Sequence, residues 1–67
     1  MVQIFGKDSC PYTRAARDHY EGLGQVEYIN VKKHPAELAR MLQFSRGKRE
    51  VPVIVDGDKV TIGFGGT

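Results

Sequence analysis

Cys10 is the only thiol in the 67-residue sequence, and it lies in the run Lys7-Asp8-Ser9-Cys10-Pro11-Tyr12-Thr13, directly after the apolar stretch Val2 to Phe5. A thiol between a strand and a helix start meets unpaired backbone N–H groups and the positive end of the helix dipole, and both favour the thiolate. Pro11 suits a first helical turn, where its missing N–H has no partner to lose. Lys7 adds a positive charge within reach. Asp8 would oppose ionisation if it faced the sulfur, but its more ordinary role is to cap the helix entry. Thr13 can offer its hydroxyl to the sulfur or cap the turn, and the two stand equal. Most lone cysteines are small buried hydrophobes. Such a cysteine needs no lysine before it, no proline after it and no strand-to-helix junction, so a reactive thiol for disulfide exchange is the preferred reading.

The elements that must position this thiol follow from local patterns. Val2 to Phe5 reads as a short strand ending at Gly6. A helix is expected from near Cys10 to Leu23, with Tyr12, Ala15, Ala16, His19, Tyr20 and Leu23 on its inward face. His19 is expected there as a packed, hydrogen-bonded residue, and Gly22 and Gly24 as left-handed residues at the helix end. Val26 to Val31 is the second strand. Pro35 opens a second helix that runs to about Arg46, with Leu38, Met41, Leu42 and Ser45 on one stripe, Phe44 beside it and Gly47 as its stop. Strands over 51–55 and 59–63, joined by an Asp56-Gly57 turn, make a hairpin. The order is β-α-β-α-β-β, with the first two strands parallel and the last two antiparallel.

Pro52 is the second residue of interest. Taken alone, it reads as a trans proline at the start of an edge strand, since most X–Pro bonds are trans.

Cys10-Pro11-Tyr12-Thr13 resembles the active site of the glutaredoxins. Gly47 to Val55, with Val51-Pro52, is similar to the glutaredoxin strand that carries a cis proline after valine. Gly63-Phe64-Gly65-Gly66-Thr67 is similar to the family's diglycine motif. The three occur in the family's order over essentially the whole chain. The nearest resemblance is to the UXX-star group of glutaredoxin-like proteins, some of which carry selenocysteine at the position of Cys10. Two departures stand out. Thr13 occupies the place of the second cysteine of dithiol members, and the family's third helix has no residues left to form it.

The resemblance implies a single thioredoxin-like α/β domain over 1–67, with a four-stranded mixed sheet and the C-terminal helix missing or truncated. It implies a cis Val51–Pro52 bond that turns the Val51 backbone toward an extended peptide, as an added strand would pair. It implies glutathione as co-substrate. Lys7 and Arg49 would meet its glycyl carboxylate, Val51 its cysteinyl backbone, and Gly65, Gly66 and Thr67 its γ-glutamyl carboxylate, with Tyr12 and Pro52 lining the groove. Glycines let backbone N–H groups approach an anion closely. The acidic residue that usually follows the diglycine is absent. The resulting expectation is a monothiol oxidoreductase acting on glutathione or glutathionylated proteins, with catalysis carried by Cys10, Lys7, Pro11, Tyr12 and Thr13. A competing reading is an iron–sulfur carrier, in which Cys10 from two copies and two glutathiones would supply the four thiolates. A catalytically silent interaction domain ranks below both. Outside the carrier reading no metal is expected.

Composition sets the outer limits. A chain of 67 residues buries only about 60% of its unfolded surface, so it must fold around one small core. With 40% hydrophobic and 27% charged residues it is a globular sequence rather than a disordered one. A net charge of +2 is too small to indicate nucleic acid. The basic run Arg46 to Arg49 reads as a solvated helix end. No apolar run has the length of a membrane span, and the first residues lack the pattern of a signal peptide. One unpaired cysteine without a secretion signal fits a reducing cytoplasm. A monomer is expected.

Overall fold

The computed structural model describes residues 1–64. The elements are β1 (Val2–Gly6), α1 (Pro11–Glu21), β2 (Val26–Asn30), α2 (Pro35–Ser45), β3 (Val53–Asp56) and β4 (Lys59–Ile62). They form one mixed sheet in the order β2-β1-β3-β4. β1 runs parallel to β2, while β3 is antiparallel to both β1 and β4. This is the expected α/β arrangement.

Alternation along β1 divides the core into two layers, because successive side chains of a strand point to opposite faces. Phe5 joins Val31, Met41, Val53 and Val55 on one face, packed with Leu38 and Leu42 of α2. Ile4 joins Ala16 of α1 and Ile54 on the other, with Val2, Tyr20, Val26, Tyr28 and Phe64 partly buried around them. The antiparallel register sets Ile4 opposite Ile54 and Phe5 opposite Val53, so β1 and β3 feed both layers in step. Among the described residues the α1 layer is the thinner, with three buried members against five.

Several local expectations are corrected. α1 ends at Glu21, and Gly22 caps it in ordinary right-handed geometry at φ −69°. Leu23 therefore falls outside the helix and is exposed. The inward stripe of α1 is Thr13, Ala16 and Tyr20, whereas Tyr12, Ala15 and His19 face out. The reason is packing space. A Cβ on Gly6 would collide with the Thr13 side chain, so the bare glycine lets the small face of α1 sit against β1. His19 makes ring contacts with Tyr20 and Phe64 (centroids 5.0 and 5.6 Å apart) rather than the hydrogen bond expected of it.

α2 stops one residue earlier than expected. Arg46 itself adopts the left-handed conformation at φ 58°, followed by Gly47 at φ 86°, whose N–H closes on the Leu42 carbonyl. The buried residues of α2 are Met41 and Ser45, as the stripe predicts. β3 starts at Val53 rather than 51, because Pro52 has no N–H to give to a ladder. Asp56 pairs with Lys59, so the hairpin loop is Gly57-Asp58, shifted by one residue from expectation, with Gly57 at φ 61°.

Candidate active site

β1 delivers the chain to the loop Lys7–Ser9, and Cys10 is the N-cap residue of α1, with extended φ −88° and ψ 117°. Pro11 occupies the first helical position. This geometry aims the first N–H groups of α1 at the Cys10 sulfur. Burial alone would push the Cys10 thiol up. That effect is outweighed by a hydrogen bond from the Thr13 side chain, by the backbone N–H groups of Thr13 and Tyr12, and by the charge of Lys7, so the thiol lies below its ordinary value.

Thr13 is thereby assigned to the sulfur and not to a helix cap. Its side chain is buried, and its Oγ1 has no hydrogen-bond partner among the described residues. With no other acceptor, the hydroxyl is free to turn to the thiolate when Cys10 ionises, which is the sense in which it lowers the thiol. Gly6 holds it there, because the missing Cβ is the space Thr13 fills.

Across the sulfur lies the segment before β3. The Val51–Pro52 bond is cis, as the resemblance implied. The Val51 carbonyl faces Cys10, with the sulfur 4.0 Å away, at the long limit for a thiol donor. The Val51 N–H has no hydrogen bond among the described residues, which leaves a backbone donor open beside the thiol. Pro52 is buried and its carbonyl accepts from the Gly63 N–H at 2.7 Å, tying this segment to the end of β4. Cys10 is only 9% exposed, so little of its surface is open to a reacting sulfur. Tyr12 stands exposed at the helix start. Lys7 and Arg49 are exposed on the loops that precede Cys10 and Pro52 respectively. Gly65, Gly66 and Thr67 lie outside the described residues.

Asp8 does not cap α1. Its Oδ1 accepts a 2.8 Å hydrogen bond from the Tyr28 hydroxyl of β2, and no side chain caps the helix. The Arg17 guanidinium sits over the Tyr28 ring, 4.0 Å from its centroid. Burial and the neighbouring Asp8 carboxylate push the Tyr28 phenol up to about 12, with Arg17 pulling the other way. Sequence reasoning missed both Tyr28 and Arg17, since neither stands near Cys10 in the chain. Among the described residues no cluster of three or more His, Cys, Asp or Glu side chains is placed to hold a metal.

A thiol on the N-cap residue of a helix, with a lowered pKa and faced by a cis-proline backbone on a mixed four-stranded sheet, defines a redox-thiol domain of the thioredoxin-like class. The glutaredoxin family model matches residues 2–60. The chain belongs to the glutaredoxin family of thiol–disulfide oxidoreductases. Among solved structures it is similar to the NrdH-redoxin of Escherichia coli, a glutaredoxin-like protein with a thioredoxin-like activity profile. The two are 31% identical with a TM-score of 0.77, over 94% of this chain and 82% of that one. It is also similar in fold to a glutaredoxin of Archaeoglobus fulgidus, at 24% identity and a TM-score of 0.82, over 96% of this chain and 75% of that one. No curated protein sequence matches it. Among the described residues no helix is long and apolar enough to cross a membrane.

Proposed function

We propose that this glutaredoxin works by a monothiol mechanism on glutathione mixed disulfides. The supporting observation is the Cys10 sulfur itself, served by donors from Thr13 and Tyr12 and facing the Val51 backbone, with Thr13 where a second thiol would be needed for an internal disulfide. The Cys10 thiolate attacks the glutathionyl sulfur of a protein–glutathione disulfide. The old S–S bond breaks, the protein thiolate leaves, and a Cys10–glutathione disulfide forms. A glutathione thiolate then attacks that glutathionyl sulfur, releasing oxidised glutathione and restoring the Cys10 thiolate. In net, one free glutathione and the glutathionyl group of the substrate leave together as oxidised glutathione, the substrate thiol is freed with the proton of the incoming glutathione, and Cys10 ends unchanged.

The glutathione in this reading lies along Val51 as an added strand, paired through the open N–H. Lys7 and Arg49 meet its glycyl carboxylate, with Arg49 offering a charged fork. Gly65, Gly66 and Thr67 meet the γ-glutamyl end, and Tyr12 walls the groove. A cytoplasmic setting supplies the reduced glutathione that the second step consumes.

The test is turnover with glutathione as reductant on two substrates, a glutathionylated peptide and a protein with an internal disulfide. The wild type should reduce the first and leave the second nearly untouched. Thr13→Cys, which creates a Cys-x-x-Cys pair at the helix start, should gain activity on the second. Equal wild-type rates on both substrates would contradict the monothiol mechanism. A coloured dimer after anaerobic reconstitution with iron, sulfide and glutathione would favour cluster carriage instead.

A further inference from the structure

The Asp8–Tyr28 contact has no part in the exchange mechanism described above, yet it bears on the nucleophile. Asp8 is two residues from Cys10, in the loop that carries the sulfur. A carboxylate there is a hazard, because a negative charge near a thiol disfavours the thiolate. The molecule places the two groups in different surroundings. The Cys10 sulfur faces the Val51 carbonyl. Asp8 instead lines the open groove of about 620 Å³ between β2 and α2, with Tyr28, Asn30 and Lys33 among its neighbours. Its 2.8 Å hydrogen bond from Tyr28 is the one side-chain bond it makes among the described residues.

The tyrosine is itself fixed. Its backbone sits opposite Ile4 in the parallel ladder, its ring joins the Ile4–Ala16–Ile54 layer, and Arg17 covers one face. The phenol stays protonated throughout the working range, so it is always a donor to Asp8.

We propose that Tyr28 is a positioning residue for the thiol chemistry: its hydroxyl holds the Asp8 carboxylate on the β2 side of the active-site loop and so keeps a negative charge away from the Cys10 sulfur. The proposal rests on Cys10 being the thiolate nucleophile. The charged and titratable groups that act on that sulfur are Lys7 from its own loop and Tyr28 from β2, while Asp8 of the loop and Arg17 of α1 face Tyr28. Arg49 and Glu50 precede Val51 and are exposed.

The test is a double-mutant cycle read by thiolate ultraviolet absorbance against pH. Tyr28→Phe keeps the ring and removes the hydroxyl, so the freed carboxylate should raise the Cys10 pKa by about half a unit, the size expected for a charge roughly 6 Å away in a watery environment. In an Asp8→Asn background, Tyr28→Phe should leave the pKa unchanged. Equal rises in both backgrounds, or no rise in either, overturn the proposal. Asp8→Asn alone changes only an exposed loop residue and keeps the test alive should Tyr28→Phe fail to fold. It should move the pKa by less than about 0.2 units, since the tethered carboxylate is already held away. A drop of half a unit would mean that Asp8 bears on the sulfur in the wild type, which overturns the tether. A wild-type pKa at or above the free-thiol value would instead count against the nucleophile reading on which the proposal rests.

Discussion

At the scale of single residues, Thr13 matters more to the sulfur than Lys7 does. The Thr13 hydroxyl and N–H donate to Cys10 directly, whereas the Lys7 ammonium acts through space from an exposed position. A hydrogen bond to a charged group contributes about 1.5–3 kcal/mol, so Thr13→Val should raise the Cys10 pKa by about one unit. Lys7→Gln should raise it by only a few tenths, because water and salt screen an exposed charge. Thiolate absorbance in both variants checks the order. The same lowering links pH to stability, and the sign follows from which state ionises first. The folded thiol loses its proton at lower pH than the unfolded one, so ionisation favours the folded state. That stability is fully present above the unfolded value of about 8.5, and it is lost as pH falls through the folded pKa. Melting curves of wild type against Cys10→Ser should therefore diverge as pH rises through this window. Parallel curves would contradict the lowered pKa. The role of Thr13 could not be read from the sequence, where a threonine one turn into a helix serves a cap or a sulfur equally well. Burial and the lack of any other partner decide it.

Among the elements, the contact of α1 with β1 through Gly6 and Thr13 sets the position of the thiol. An alanine Cβ at position 6 would lie 2.6 Å from Thr13 Oγ1 and nearer still to its Cγ2, so α1 must move away from β1. Gly6→Ala should destabilise the fold by about 1–3 kcal/mol, as overpacking does, and should also raise the Cys10 pKa by displacing the hydroxyl. Urea unfolding and the thiolate titration test the two parts separately. The strand and helix order was legible from the apolar runs, the prolines at both helix starts and the glycines between elements. The inward face of α1 was legible only in part, at Ala16 and Tyr20 but not at Thr13. Helical spacing with Tyr12 and Leu23 as apolar guides rotated the face toward them, whereas the space opened by Gly6 selects Thr13 and Ala16. The hairpin shifted by one residue because Asp56 closes the ladder against Lys59. The Asp8 partner was illegible for a different reason: Tyr28 reaches it only through the parallel pairing of β2 with β1.

For the whole molecule, two thin apolar layers hold one small sheet. A domain of this size carries about 3–10 kcal/mol of net stability at ordinary values per residue. Met41 is fully buried in the α2 layer, and Met41→Ala should cost about 2–5 kcal/mol. That is a large share of the total, so urea denaturation should show the variant partly unfolded before denaturant is added. A small shift of the midpoint would mean that the α2 layer is not the main support. The glutaredoxin motifs made Cys10, the cis bond at Pro52 and the overall class legible from the sequence, because the chemistry needs particular residues at particular spacings. The proposed roles of Lys7 and Arg49 rest on those motifs and on their loops, while Gly65, Gly66 and Thr67 fall beyond the described residues. What Cys10 does with glutathione decides most directly between a reactive and an inert thiol. Intact mass after brief treatment with oxidised glutathione near neutral pH, followed by reduced glutathione, measures it. The predicted result is one glutathione adduct on the wild type, none on Cys10→Ser, and complete removal by reduced glutathione. A wild-type protein that stays unmodified while a free thiol of ordinary pKa reacts in the same tube would contradict it.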